Sequence, residues 1–184
     1  MPALSRPATL CAVLALLFCA SGFVPQKTKE PTTAGRGLAT LSGDQRIANT
    51  IKAKLLDKDK QKGLAVKVSC FDGRVYLVGR LDDAAFQNFA VTTARAADGV
   101  LSVEIYFLPE TGDASADPEV ADRVRAVLAA DKAISAGRLE VEVVNGVAVL
   151  LGTVPDQAAA ERVREAATAV PGVERVQSFL IPGR

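Results

Sequence analysis

Seven cations crowd the stretch from Arg46 to Lys67: Arg46, Lys52, Lys54, Lys58, Lys60, Lys62 and Lys67, against only Asp57 and Asp59. A patch of this kind needs no catalytic group for its chemistry, which is the holding of anions. Lysines near an anionic lipid surface contribute about 1 kcal/mol each, screened within a Debye length. The same run also suits a solvated helix end and loop. Catalysis has far less to work with. The chain has 184 residues and no histidine, which removes imidazole bases, Ser-His-Asp and Cys-His nucleophiles and nearly all catalytic zinc sites. Asp82 and Asp83 form a carboxylate pair, but a strand end running into a helix N-cap accounts for them.

Hydrophobic residues make up 49% of the chain and charged ones 23%, as in folded proteins. Leu10 to Ala20 is an apolar run too short for a bilayer, which needs about 20 residues, and Arg6 precedes it. Residues 1–22 read as a secretory signal peptide, with Ala20-Ser21-Gly22 as the cleavage site and Ser21 the nearest competitor. Phe18 directly before Cys19 is a poor fit to a lipid-attachment site. Without those 22 residues the chain loses Arg6 from its cations and none of its acids, and is formally neutral. Cys70 is then its one cysteine, unable to form an internal disulfide and expected as an inert buried thiol. Neutral charge and 5% aromatics argue against a nucleic-acid partner. No metal or cofactor is expected.

The elements that must position the cations repeat at a spacing of 73. Residues 44–108 align with 117–181 without a gap, with 15 identical pairs in 65, among them Asp44/Asp117, Gly73/Gly146, Gly79/Gly152 and Gly99/Gly172. Residues 23–43 read as a flexible leader, and 109–116 as the linker before a second domain at 117–184. Each copy reads helix, strand, strand, helix, strand. Ser42-Gly43-Asp44-Gln45 suggests a capping box, and Asp117 an N-cap before Pro118. Asp72-Gly73 and Asn145-Gly146 are type I′ hairpin turns. They pair Cys70 with Val75, Val68 with Leu77 and Val66 with Gly79, and Val143 with Ala148, Val141 with Leu150 and Leu139 with Gly152. These pairs form the core face. Gly79 and Gly152 are expected to let a helix approach closely. Further helices over 83–97 and 156–170 and strands over 100–108 and 173–181 complete an α+β fold: two tandem αββαβ domains, each a three-stranded sheet packed on two helices.

The runs Gly-Arg-Val-Tyr-Leu-Val-Gly (73–79) and Gly-Val-Ala-Val-Leu-Leu-Gly (146–152) follow one pattern. The Gly-Val pairs at 99–100 and 172–173, each followed three residues later by Val103 or Val176, follow it too. With the αββαβ order, this resembles the BON domain (bacterial OsmY and nodulation), present twice across 44–181. The resemblance implies a protein of the bacterial periplasm or outer membrane tied to osmotic stress, envelope integrity and anionic phospholipid, without catalytic residues. In lipid-binding members it implies contact through the second domain. Here 117–181 holds seven cations against ten acids, and 44–108 ten against eight, which favours the first.

Three surfaces are candidates for function. The lipid-binding candidates are Arg46, Lys52, Lys54, Lys58, Lys60 and Lys62, with Phe89. Phe89 aligns with Arg162, and is either an exposed aromatic at a headgroup interface or buried by the neighbouring copy. The third surface is the outer sheet face: Tyr76 and Val78, beside Phe71, in the first copy, and Val147, Val149 and Leu151, beside Val144, in the second. An apolar strip on a sheet marks an interface. Basic Lys67, Arg74 and Arg80 against acidic Glu140 and Glu142 suggest the two sheets face each other, with a second molecule as the rival. The expected function is a non-enzymatic envelope-maintenance protein binding an anionic phospholipid surface. The alternative is a soluble periplasmic osmotic-stress chaperone or scaffold that holds protein clients.

Overall fold

The computed structural model describes residues 33–111, 114–131, 134 and 138–183, with side chains from residue 43 onward. The signal segment, Cys11, Cys19 and the first part of the leader lie outside the described residues. In chain order the elements are α1 (Thr33–Lys58), α2 (Lys60–Ala65), β1 (Val66–Phe71), β2 (Arg74–Arg80), α3 (Ala84–Arg95) and β3 (Ser102–Leu108). The second copy contributes α4 (Asp117–Ala130), β4 (Arg138–Val144), β5 (Val147–Val154), α5 (Gln157–Thr168) and β6 (Arg175–Pro182).

Both hairpins adopt the expected register, Cys70 opposite Val75 and Val143 opposite Ala148. Asp72 and Asn145 take φ of 50° and are followed by Gly73 and Gly146 at 74° and 71°, the left-handed pair that a type I′ turn demands. β3 and β6 join parallel to β2 and β5, a connection that needs a crossover, here α3 and α5. Those helices start where the acids expected, with Asp83 accepting from the Phe86 N–H at 2.8 Å and Asp156 from the Ala159 N–H at 2.7 Å. Ile51, Leu55, Val75, Leu77, Phe86 and Ala90 fill the first core. Val120, Val124, Leu128, Val141, Leu150 and Val163 fill the second.

Four expectations change. The leader is helical from Thr33, since α1 runs unbroken through Gly43 into the domain. Its last proline is Pro31, and extending an anchored helix costs less than nucleating one. Asp44 therefore lies inside α1 and does not cap it, and α4 has Ala116 at its cap with Asp117 as first residue. A short extra helix, α2, occupies the lysine run, capped by Asp59, whose carboxylate accepts from the Lys62 N–H at 3.1 Å. At Gly79 the helix that comes close is the C-terminal end of α2, whereas at Gly152 it is the first residue of β4 in place of a helix. A Cβ at Gly79 would sit 2.1 Å from the Ala65 carbonyl oxygen, and one at Gly152 1.8 Å from that of Arg138.

The sheets meet on their outer faces. Phe71, Tyr76, Val78, Val144, Val147, Val149 and Leu151 form one buried cluster between them, joined by Tyr106, Leu108, Phe179 and Ile181. Each sheet has its own helices on its other side, so the molecule is layered helix, sheet, sheet, helix, with the two helix layers outermost.

Candidate functional site

α1 and α3 lie side by side over the first sheet, and their seam forms a groove open to solvent. Gly43, Arg46, Ile47, Thr50 and Lys54 line one end, against Ala96 to Gly99. Lys54, Asp57 and Lys58 line the other, against Phe89, Thr92 and Thr93. The α1 positions recur every three or four residues, so one face of the helix carries Arg46, Lys54 and Lys58 along the groove. Phe89 is half-buried, its ring 5.9 Å from that of Phe86, and the Lys58 ammonium stands 5.6 Å from its centroid. At this range a cation is drawn to the negative face of the ring. Phe89 packs against its own domain's core, so it is neither fully exposed nor covered by the other copy.

The remaining cations divide. Lys60 is exposed on α2, away from the seam. Lys52 is turned inward, its ammonium donating to the carbonyls of Gly63 at 2.7 Å and Val66 at 2.6 Å. Burial lowers its pKa, Lys67 adds repulsion, and Glu142 opposes both. Lys62 donates to Asp83 at 2.5 Å and lies 3.8 Å from Asp59. Its hydrogen bond to Asp83 raises its pKa, just as the same bond lowers that of Asp83. Lys52 and Lys62 thus serve the fold and do not belong to the free patch. A helix brings its cations round every side, and Arg46, Lys54 and Lys58 are the ones that line the seam.

Tyr76, Val78, Val147, Val149 and Leu151 are each no more than 5% exposed, in the cluster between the sheets. At its rim Glu140 accepts from the Ser69 hydroxyl at 2.6 Å and lies 3.8 Å from the Lys67 ammonium. Arg80 turns elsewhere, donating to the Glu110 carbonyl at 2.6 Å. Glu142 is desolvated on the same face, and burial raises its pKa against the pull of Lys67, Arg125 and Lys52, with Glu140 adding repulsion.

Sequence reasoning missed the device that ties each α-helix to its hairpin. Asp44 accepts from the N–H groups of Asp72 and Gly73, both at 3.0 Å. Asp117 accepts from those of Asn145 at 2.8 Å and Gly146 at 3.0 Å. The signal was present, since Asp44 and Asp117 are identical across the repeat and each precedes its turn by 28 residues. Asp44 also accepts from Arg138 of the second domain at 3.3 Å and from the Cys70 thiol at 3.4 Å. Burial pushes the Cys70 pKa up to about 12, and Asp44 adds to it.

Among the described residues no helix is long and apolar enough to cross a membrane, and no three metal-ligating side chains gather. The BON domain matches residues 43–106 and 116–181. Osmotically-inducible protein Y of Escherichia coli (strain K12) is 31% identical over 143 residues, spanning 74% of this chain and 71% of that protein. A solved chain of CdsD, a structural protein of the type III secretion system of Chlamydia trachomatis, is similar at 12% identity. It covers 74% of this chain and 92% of that one, with a loose TM-score of 0.31.

Proposed function

This chain belongs to the BON domain family, which it carries twice, and on that footing we propose that it is a non-enzymatic protein of the bacterial periplasm. In this reading it serves in osmotic stress and envelope maintenance, and its first domain rests on anionic phospholipid through the α1–α3 seam. The osmotically inducible relative supports the setting. The observation that carries the lipid reading is the seam itself, where Lys54 and Lys58 share one groove with the half-buried ring of Phe89. Cations beside an amphipathic ring match a headgroup layer, with its phosphates outside and its first methylenes beneath. Because the sheets meet face to face, the helix layers point outward on opposite sides, and one flat surface meets one domain's helices at a time.

Co-sedimentation of residues 23–184, which carry every described element, with vesicles tests this. Binding to anionic vesicles at low salt, weak or absent on neutral ones and lost at high salt, is the expected result. Binding that survives high salt unchanged contradicts it.

One observation favours a second reading, a periplasmic chaperone or scaffold for protein clients. The matching seam of the second domain, between α4 and α5, is apolar, lined by Ala126, Val127, Ala166, Val170 and Pro171 with Arg123 at its edge. Val127 is 44% exposed there. Suppression of client aggregation without any lipid preference would favour this reading.

A further inference from the structure

The two sheets have four edge strands, β1 and β3 in the first and β4 and β6 in the second. An edge offers unpaired N–H and C=O groups to any strand that arrives, and proteins blunt their edges with charge, proline or a covering side chain. At β1 the Lys52 ammonium takes up the Val66 carbonyl, and at β4 the Arg125 guanidinium takes up that of Val141 at 2.9 Å. β6 begins at Arg175 and ends at Pro182, which has no N–H to offer. Among the described hydrogen bonds no cation takes up a carbonyl of β3, and its proline, Pro109, falls just past its last residue. Its one charge is Glu104, and it exposes Ile105 at 51%, with Leu101 just before it at 80%. At the equivalent positions the second copy carries Ser178 and Glu174.

We propose that β3 is a homodimer seam, pairing antiparallel with β3 of a second copy about Ile105 to join two three-stranded sheets into one of six strands. The backbone sets the register. The Leu81 N–H donates to the Leu108 carbonyl at 2.9 Å, and Arg80 pairs with Leu108, so in the parallel ladder Ser102, Glu104, Tyr106 and Leu108 direct their backbone groups to β2. Those of Val103, Ile105 and Phe107 face outward. Pairing about Ile105 makes the two Ile105 residues exchange both backbone bonds and Val103 of each copy exchange both with Phe107 of the other. Glu104 of each then stands opposite Tyr106 of the other in a non-hydrogen-bonded pair. The two Ile105 side chains meet, and the two Glu104 carboxylates lie a diagonal step apart. Charge complementarity favours this occupant, because Arg175 donates to the Tyr106 hydroxyl at 3.3 Å. Each incoming Glu104 therefore arrives beside a guanidinium. This inference is independent of the lipid reading.

Sedimentation equilibrium of residues 23–184 over a dilution series tests it, with thermal melts to verify folding of each variant. The expected result is a dimer that dissociates on dilution. Glu104→Arg weakens it about tenfold through two symmetric pairs, Arg175→Glu in the same chain restores it, and Ile105→Asp abolishes it with the melt retained. A monomer at every soluble concentration, a dimer indifferent to Ile105→Asp, or a monomer that pairs only with a strand of another protein would each overturn the proposal.

Discussion

Asp44 and Asp117 show how a single side chain can join elements that neither helix propensity nor strand pattern brings together. Each carboxylate takes two consecutive turn N–H groups that the hairpin ladder leaves without partners, and charge-assisted bonds of this kind outweigh neutral ones. Asp117→Ala is expected to cost about 2 kcal/mol in urea unfolding. Asp44 carries more, because it also receives Arg138 and Cys70. Burial alone would raise its pKa, but the bonds from Gly73, Asp72, Arg138 and Cys70 outweigh burial and hold it below the usual carboxylate value. Its contribution to stability is therefore complete above the unfolded carboxylate range and is lost as pH falls through its depressed folded pKa. Asp44→Asn should flatten that acid limb of the stability curve, and an unchanged limb would show that the clamp is idle. These acids were expected as helix caps because Ser, Asp and Asn before an apolar stripe do cap helices. Their actual partners lie 28 residues away, a distance at which a sequence offers identity across the repeat but no geometry.

At the scale of elements, the strands and the second helix of each copy were legible because local rules set them. A two-residue Asx-Gly turn fixes the register, and alternation then assigns each face. Asp83 and Asp156 open α3 and α5 as caps, since their oxygens reach N–H groups three residues on. The start of α1 was not legible, because the leader's glycines and threonines read as coil while helix elongation from the domain carries through them. α2 was missed because Lys60 to Lys62 look like solvated loop, although Asp59 caps a turn there. The role of Gly79 and Gly152 was half legible: the need for no side chain was plain at both, and a helix does approach Gly79, but the start of a strand takes its place at Gly152. Replacing Gly152 by Ala forces a Cβ against the Arg138 carbonyl with φ at 132°, a conformation that L residues rarely adopt. A loss of about 3 kcal/mol or more is expected in denaturant unfolding. Gly79→Ala meets a similar obstacle, whereas Gly43→Ala meets nothing within 4 Å and should be stabilising by several tenths of a kcal/mol, about the helix propensity difference.

The whole molecule is organised by the sheet-to-sheet contact, which buries aromatic and branched side chains of both copies in one cluster and turns the helix layers outward. Glu142 is the costly member of that contact. Its folded pKa lies above the unfolded value, chiefly from desolvation, so ionising it lowers stability as pH rises through that range, and the penalty is absent at lower pH. Glu142→Gln should raise the thermal midpoint at neutral pH and match the parent chain once Glu142 of the parent is protonated in acid. The same architecture divides the cations into a set that lines the α1–α3 groove and a set taken up by the fold, which composition alone could not do. A count of seven lysines and arginines gave the patch its sign, while only packing shows that Lys52 and Lys62 are taken up by carbonyls and carboxylates. Anionic-vesicle co-sedimentation at low salt, comparing Lys54→Glu/Lys58→Glu with the parent chain, tests the lipid reading most directly. Folded Lys54→Glu/Lys58→Glu protein that stays in the supernatant while the parent pellets is the predicted result. Equal pelleting of the two would contradict a first-domain seam as the lipid contact.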